Sequence, residues 1–327
     1  MKRREFITVL GGAAAWPLAG RAQQREGMRR VGVLINLPEN DPEGIARLSA
    51  FRKALQELGW IEGQSLRIET RWGVDNEHIR KNAAELVSLA SDVILANAPP
   101  SVLALQQVTQ SLPIVFVNVT DPVSMGIVQS LARPGGNATG FTAAEFAVSA
   151  KWLELLKEIA PGVKRAAVLR ELSNPSALPQ FVAIQAMAPS LGVEVSPLGA
   201  RNAADIERGI SAFAKVTNSG LIVTRTSETI SHRDVIVEMA ARHRLPAVYP
   251  QRFFVTGGGL IAYGFDTIDQ YRRAAHYVDR VLKGEKPADL AVQEPVKFNL
   301  VINLKTAKTL GFEIPPTLLA RADEVIE

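Results

Sequence analysis

Short apolar runs recur along this chain with helical periods between them, and the pattern runs through twice. RVGVLIN (Arg30–Asn36), SLRIETRW (Ser65–Trp72), DVILAN (Asp92–Asn97) and PIVFVNV (Pro113–Val119) form the first series. RAAVLR (Arg165–Arg170), VEVSPLG (Val193–Gly199), GLIVTR (Gly220–Arg225) and PAVYP (Pro246–Pro250) form the second, followed by GLIAYG (Gly259–Gly264). These runs lack clean alternation of apolar and polar residues, as strands covered on both faces of a parallel sheet do. Between the first two, Ile45, Leu48, Phe51, Leu55 and Leu58 are spaced by three and four, one face of a helix that Gly59 ends. Repeated strand–helix units of this kind fold as α/β; two doubly wound parallel-sheet lobes are the expectation.

The last part of the chain does not fit either series. TIDQYRRAAHYVDRVLKGEKPADL (Thr267–Leu290) predicts a helix closed by Gly284 and Pro287, and VKFNLVINLKTAKTLGF (Val296–Phe312) a strand and a short helix. They follow two arrays that are already complete, so the chain is expected to cross back between lobes. A helix is also expected over Val123–Ala132, stopped by Pro134-Gly135-Gly136.

The first 22 residues read as an address. A basic start, an apolar middle from Phe6 to Ala19 and small residues at Gly20 and Ala22 form the plan of a secretory signal peptide, with cleavage expected after Ala22. Arg3-Arg4-Glu5-Phe6-Ile7 resembles a twin-arginine signal. The mature protein is therefore expected in the periplasm. This segment also explains most of the formal charge of +4, since the rest of the chain holds 33 basic and 32 acidic residues. Without a Lys/Arg block, no nucleic-acid partner is expected.

Enzymatic constellations are missing. The first strand is followed by Leu37-Pro38-Glu39-Asn40-Asp41, with no glycine fingerprint for a dinucleotide, and the chain has no phosphate loop, no nucleophile elbow and no cysteine. His78, His232, His243 and His276 sit among charged neighbours in expected helices, without metal-pair spacing. No enzyme, cofactor or metal is expected. What is present is a series of small polar residues just after strands, at the sheet edge where doubly wound folds bind ligands. Asn36 follows the first strand, Asn97 and Ser101 the third, and Asn118, Thr120 and Asp121 the fourth. In the second series Glu171, Ser173 and Asn174 follow one strand, and Thr224, Thr226 and Ser227 another. Each is also a natural helix cap or turn former.

TDPVSMGIVQSLARPGGNATGF (Thr120–Phe141) resembles a segment of the periplasmic substrate-binding proteins of ABC importers, in the subgroup that includes tryptophan- and phenylalanine-binding members. AFRKALQELGWIEGQSLRIETRW, ARHRLPAVYPQRFFVTGGGLIAYG, the stretch from Tyr271 to Gly311 and IPPTLLARADEVIE are similar to it as well. The resemblance implies a type I periplasmic-binding-protein-like fold, two lobes joined by a multi-strand hinge. It implies a first lobe of residues 29–142 plus about 265–288, a second of 143–264, and a crossover strand and tail over 289–327. It implies a monomer that closes on a small-molecule ligand, an amino acid or carboxylate-bearing compound, and delivers it to an ABC permease; an exported sensor docking on a membrane receptor is the alternative. The family's cleft loops place Asn97 to Ser101, Thr120-Asp121 and Asn174 at the ligand, with Tyr263 to Asp266 at a crossover. Asp121 is the candidate partner for an ammonium group. Where members often carry a Gly-Thr-Pro-like turn this chain has Asn97-Ala98-Pro99-Pro100, and a Pro-Asp-like turn is replaced by Thr224-Arg225-Thr226-Ser227. The planar fork of Arg225 suits a carboxylate. N-terminal sequencing of the exported protein is expected to begin near Gln23; an intact Met1 or Lys2 would refute the signal reading.

Overall fold

The computed structural model describes residues 27–143, 146–172 and 177–327. The expected signal segment lies outside them. Five parallel strands form the first sheet: β1 (Arg29–Ile35), β2 (Leu66–Trp72), β3 (Val93–Asn97), β4 (Ile114–Val119) and β5 (Ala138–Thr142), in the order β2-β1-β3-β4-β5. Helices α1 (Pro42–Glu57), α2 (Asn76–Ser88) and α3 (Ala98–Val108) make the crossovers. Asp41 and Asp75 cap α1 and α2 by accepting from first-turn amides. β3, β4 and β5 are buried at every position, which accounts for the continuous apolar runs of β3 and β4.

The second sheet comprises β6 (Arg165–Arg170), β7 (Glu194–Gly199), β8 (Ser219–Val223), β9 (Ala247–Tyr249), β10 (Ile261–Phe265), β11 (Phe298–Asn303) and β12 (Glu324–Ile326). Its order is β12-β11-β10-β9-β8-β6-β7, parallel except where β11 runs against β10. Helix α4 (Phe146–Ile159) leads into this sheet, and α5 (Ala177–Met187), α6 (Ala203–Phe213), α7 (Ser227–Ser231), α8 (Arg233–Arg242) and α9 (Arg252–Thr256) connect its first five strands. The order β7-β6-β8-β9-β10 repeats that of the first sheet, so the two lobes are copies of one winding scheme, as the doubled pattern implied. Helices α11 (Leu304–Leu310) and α12 (Pro316–Leu319) follow β11.

Helix α10 (Thr267–Leu282) follows β10 of the second sheet yet packs on the first. Tyr271, Ala274, Ala275, Val278 and Leu282 lie on one helical face and join Phe51, Leu55, Val115, Val117 and Phe141 in one apolar cluster. The chain therefore crosses between the lobes from β5 to α4, from β10 to α10, and from α10 to β11. The last two passes are bonded: the Asp266 amide donates to the Lys297 carbonyl at 2.9 Å, and Lys297 Nζ lies 2.8 Å from Asp266 Oδ2. Further along the third pass, the Gln293 amide donates to Gly140 O of β5, and the Thr142 amide donates to Gln293 O.

Two local expectations fail. Residues 123–132 form turns in place of a helix. Asp121 just before the expected helix and Gly126 in the middle of it have left-handed backbones, which no α-helical turn accommodates. β5 is absent from the expected strands; its five residues have no period to reveal it.

Asp266 supplies a pH test of the crossover. Burial raises its pKa, but the Lys297 ammonium and the Asp269 amide outweigh burial and hold the carboxyl below the ordinary aspartate value. A depressed folded pKa contributes stability that is complete above the unfolded value, about 3.9, and lost as pH falls through the folded one. Asp266→Asn retains a capping oxygen for α10 but loses the ion pair. It should melt below the wild type at pH 7, and the two melting curves should converge as the pH falls through the depressed pKa of Asp266. A pH-independent difference would refute this role.

Candidate ligand cleft between the lobes

In a doubly wound sheet the crevice for a ligand opens at the carboxyl ends of the strands where the winding reverses. Those points are β1/β3 in the first lobe and β6/β8 in the second. They face a common cleft of about 490 Å³, within the usual range for small-molecule sites. Asn36, Asn97, Asn118 and Thr120 line it from the ends of β1, β3 and β4. Glu171, Arg225, Thr226 and Glu228 line it from the second lobe. Leu37, Val74, Ile79, Met125 and Ile230 add apolar surface.

The first-lobe wall is a row of linked carboxamides. Asn97 Nδ2 donates to Asn36 Oδ1, and Asn118 Nδ2 donates to Asn97 Oδ1 at 2.6 Å. This explains why Asn97 precedes α3 without capping it. The backbone is bent to place the row. Ala98 and Asn118 have φ of 66° and 60°, and the register of β4 against β5 shifts between Phe116 and Val119. Gly140 opposite is required there, since a Cβ would lie 2.0 Å from the Phe116 carbonyl oxygen. A glutamine from α10 braces the bend: Gln270 Oε1 accepts from the Asn118 amide at 3.1 Å, and its Nε2 donates to Thr142 O at 2.7 Å. Backbone strain concentrated at a cleft in this way is a mark of function.

The second-lobe wall is built differently. Thr226 caps α7 in a reciprocal capping box with Thr229. Gln180 of α5 grips the backbone of Arg225, accepting from its amide at 3.1 Å and donating to its carbonyl at 3.3 Å. The Arg225 guanidinium lies 4.9 Å from the ring centroid of Phe265, the residue that begins the second crossover.

Charged contacts tie the lobes across the cleft. Arg233 Nη2 of α8 donates to Asp41 Oδ2 at 2.6 Å, while Asp41 Oδ1 caps α1. Asp41 is 4% exposed. Arg47 of α1 and Arg233 of α8 both stack on Phe253 of α9, at 5.9 and 5.6 Å. Arg47 is held by Glu43 at 2.9 Å, and Glu43 accepts from Thr267 at the crossover.

The sequence-selected residues separate into groups. Asn36, Asn97, Thr120 and Thr226 line the cleft. Ser101 is fully buried in α3 beside it, its hydroxyl without a hydrogen-bond partner. Asn174 lies outside the described residues. Asp121 is exposed and outside the lining; its carboxylate accepts from the Ser124 amide and caps a turn. Thr224 is buried within the sheet and donates to Leu169 O. Tyr263 stacks on Phe298, and Asp266 is consumed by α10 and Lys297; neither reaches the cleft. Arg47 and Asp75 also line the cleft; Arg47 lies inside α1, away from any strand end, and Asp75 follows β2 as the cap of α2. Among the described residues no cluster of His, Asp or Glu could hold a metal.

Residues 33–326 match the family described as ABC transporter substrate binding protein. The chain belongs to that family. It is 26% identical over 264 residues to a tyrosine-binding protein of Clostridioides difficile (strain R20291), covering 80% of this chain and 76% of that one. A Streptococcus pneumonia ABC domain solved with L-Trp is 25% identical, with a TM-score of 0.83 over 92% of this chain and all of that one. A ligand-free, open substrate-binding protein with adhesive properties from Clostridium difficile is equally identical at 25%, over 91% of this chain and 99% of that one, but scores 0.70.

The Asp41–Arg233 pair joins the two lobes and can be tested apart from folding. Asn caps as well as Asp, so Asp41→Asn leaves α1 intact and removes the charge facing Arg233. The expected loss, about 2 kcal/mol, falls on closure. Small-angle scattering should show a larger radius of gyration for Asp41→Asn and for Arg233→Met, with the double variant no more open than either. Unchanged scattering in both would refute the latch.

Proposed function

We infer that this protein is the extracytoplasmic receptor of an ABC importer, which closes on a small molecule, an amino acid or other carboxylate-bearing compound, and hands it to a membrane permease. The observation that carries the reading is the cleft where two switch points meet, lined from both lobes and bridged by Asp41–Arg233. An amino acid presents both signs of charge. The lining offers Arg47 and Arg225 on one side of that account and Asp75, Glu171 and Glu228 on the other. Tyrosine and L-Trp, named with two relatives, are the first ligands to try. The described lining contains no aromatic ring, however, so ring stacking is a weaker basis for selection here than charge and amide contacts.

Export and monomeric action complete the proposal, supported by the N-terminal plan in the sequence. Closure provides the signal, because a permease can distinguish a closed, loaded receptor from an open one. Titration of the purified protein with the twenty L-amino acids and with succinate and glutarate should show saturable binding of at least one. At one hundred times its Kd that ligand should add about 2.7 kcal/mol of stability. Absence of binding across the whole set would refute this ligand class.

A further inference from the structure

We propose that the side-chain carbonyl of Asn118 accepts a hydrogen bond from an ammonium group of the ligand, so that the cleft takes amino-bearing compounds in preference to simple carboxylates. The assignment rests on the receptor reading above and narrows its ligand class. Asn118 ends the carboxamide row on the first-lobe wall of the cleft and is 2% exposed. Its donors are engaged: Nδ2 donates to Asn97 Oδ1 at 2.6 Å, and the backbone amide donates to Gln270 Oε1 at 3.1 Å. Oδ1 is buried and has no hydrogen-bond partner in the protein. A buried carbonyl left unmatched costs free energy, and native folds seldom keep one without a use.

The row gives this carbonyl its orientation. Asn97 Nδ2 donates to Asn36 Oδ1, so the bonds run one way, from Asn118 to Asn36, and leave an acceptor at the Asn118 end. Donation through Nδ2 polarises the carboxamide and strengthens Oδ1 as an acceptor. The left-handed backbone of Asn118 and its bond to Gln270 hold the group in place before a ligand arrives. The surroundings suit a cation. Asp75, Glu171 and Glu228 line the same cleft, and they act beside Asn118 instead of replacing it, because an ammonium has three N–H donors to place. A bare helix start would repel a positive group. The start of α2 is covered by the Asp75 carboxylate, which accepts from the Glu77 and His78 amides. The first turn of α3 contains Pro99 and Pro100, which have no N–H.

The test pairs the L-amino acids with the same acids lacking the α-amino group, and adds succinate and glutarate, titrated into wild type, Asn118→Gly and Asn118→Asp. Both replacements tolerate the left-handed backbone. For an amino acid that binds the wild type, Asn118→Gly should weaken binding about 10- to 100-fold, while its deaminated partner changes by less than about threefold. Asn118→Asp keeps an acceptor and adds negative charge, so it should raise the ratio of amino acid to deaminated acid affinity. A wall that is merely loosened weakens both ligands alike and leaves that ratio unchanged. A ratio in Asn118→Gly within about threefold of wild type overturns the assignment. Should Asn118→Gly not fold, Asn118→Asp decides, and an unchanged or lowered ratio there overturns it. Wild-type protein that binds succinate or glutarate but no amino acid also overturns it, and leaves the receptor reading standing. Wild-type protein that binds none of these compounds overturns the receptor reading for this ligand class and the assignment with it.

Discussion

The packing of α10 onto the first sheet is the contact on which the architecture depends. Its buried face, Tyr271 to Leu282, completes a core built from residues far earlier in the chain, although the helix emerges from a strand of the other sheet. Burial on that scale is worth several kcal/mol, more than a loop crossing costs. Once α10 is committed, the chain must leave the second lobe before it and return after it for β11. The lobes are thereby joined by several passes instead of one linker, and bonds between passes restrict their relative motion to a hinge.

The same helix reaches the cleft. Gln270, one residue before Tyr271, ties the bent end of β4 to Thr142 at the first crossover. In the second lobe Gln180 of α5 does comparable work at the end of β8. Each is a buried carboxamide with a donor and an acceptor, the minimum needed to satisfy a strand end where the ladder stops. Two lobes wound alike thus solve the same backbone problem with the same side chain. Rigid strand ends follow, and rigid ends let a few polar groups set selectivity.

Much of this frame is readable in the sequence. Continuous apolar runs disclose β1, β3, β4, β6 and β8, because strands buried on both faces leave no other pattern. β5 is hidden because Ala138–Thr142 is short, and because Gly140 is there for close backbone approach instead of packing. The expected helix after Pro122 fails because Gly126, within it, takes a left-handed backbone that apolar spacing does not register. At the cleft, Asn36, Asn97, Thr120 and Thr226 are legible as polar residues that end strands. Asp121 has the same signature but is spent on its own turn. Asp41 and Arg47 carry no local sign of their role, since it arises only when α8 and α9 arrive from the other lobe.

The energetics of Asp41–Arg233 suit a latch more than a lock. Burying a carboxylate and a guanidinium costs several kcal/mol of hydration, and their attraction recovers only part of it. Asp41 reduces the cost by using its second oxygen to cap α1 in either state, and Arg233 by resting on Phe253, so neither needs reorganising on closure. The net bias is then small, and a ligand binding the closed form better than the open one can govern the balance. Shifting such an equilibrium from one extreme to the other takes about 5.5 kcal/mol of differential binding. Contacts to both walls can supply that, whereas contacts to one wall bind open and closed forms alike and shift nothing. In this cleft the first lobe offers an amide row and both lobes offer charged groups, so a ligand between them has polar partners on both walls.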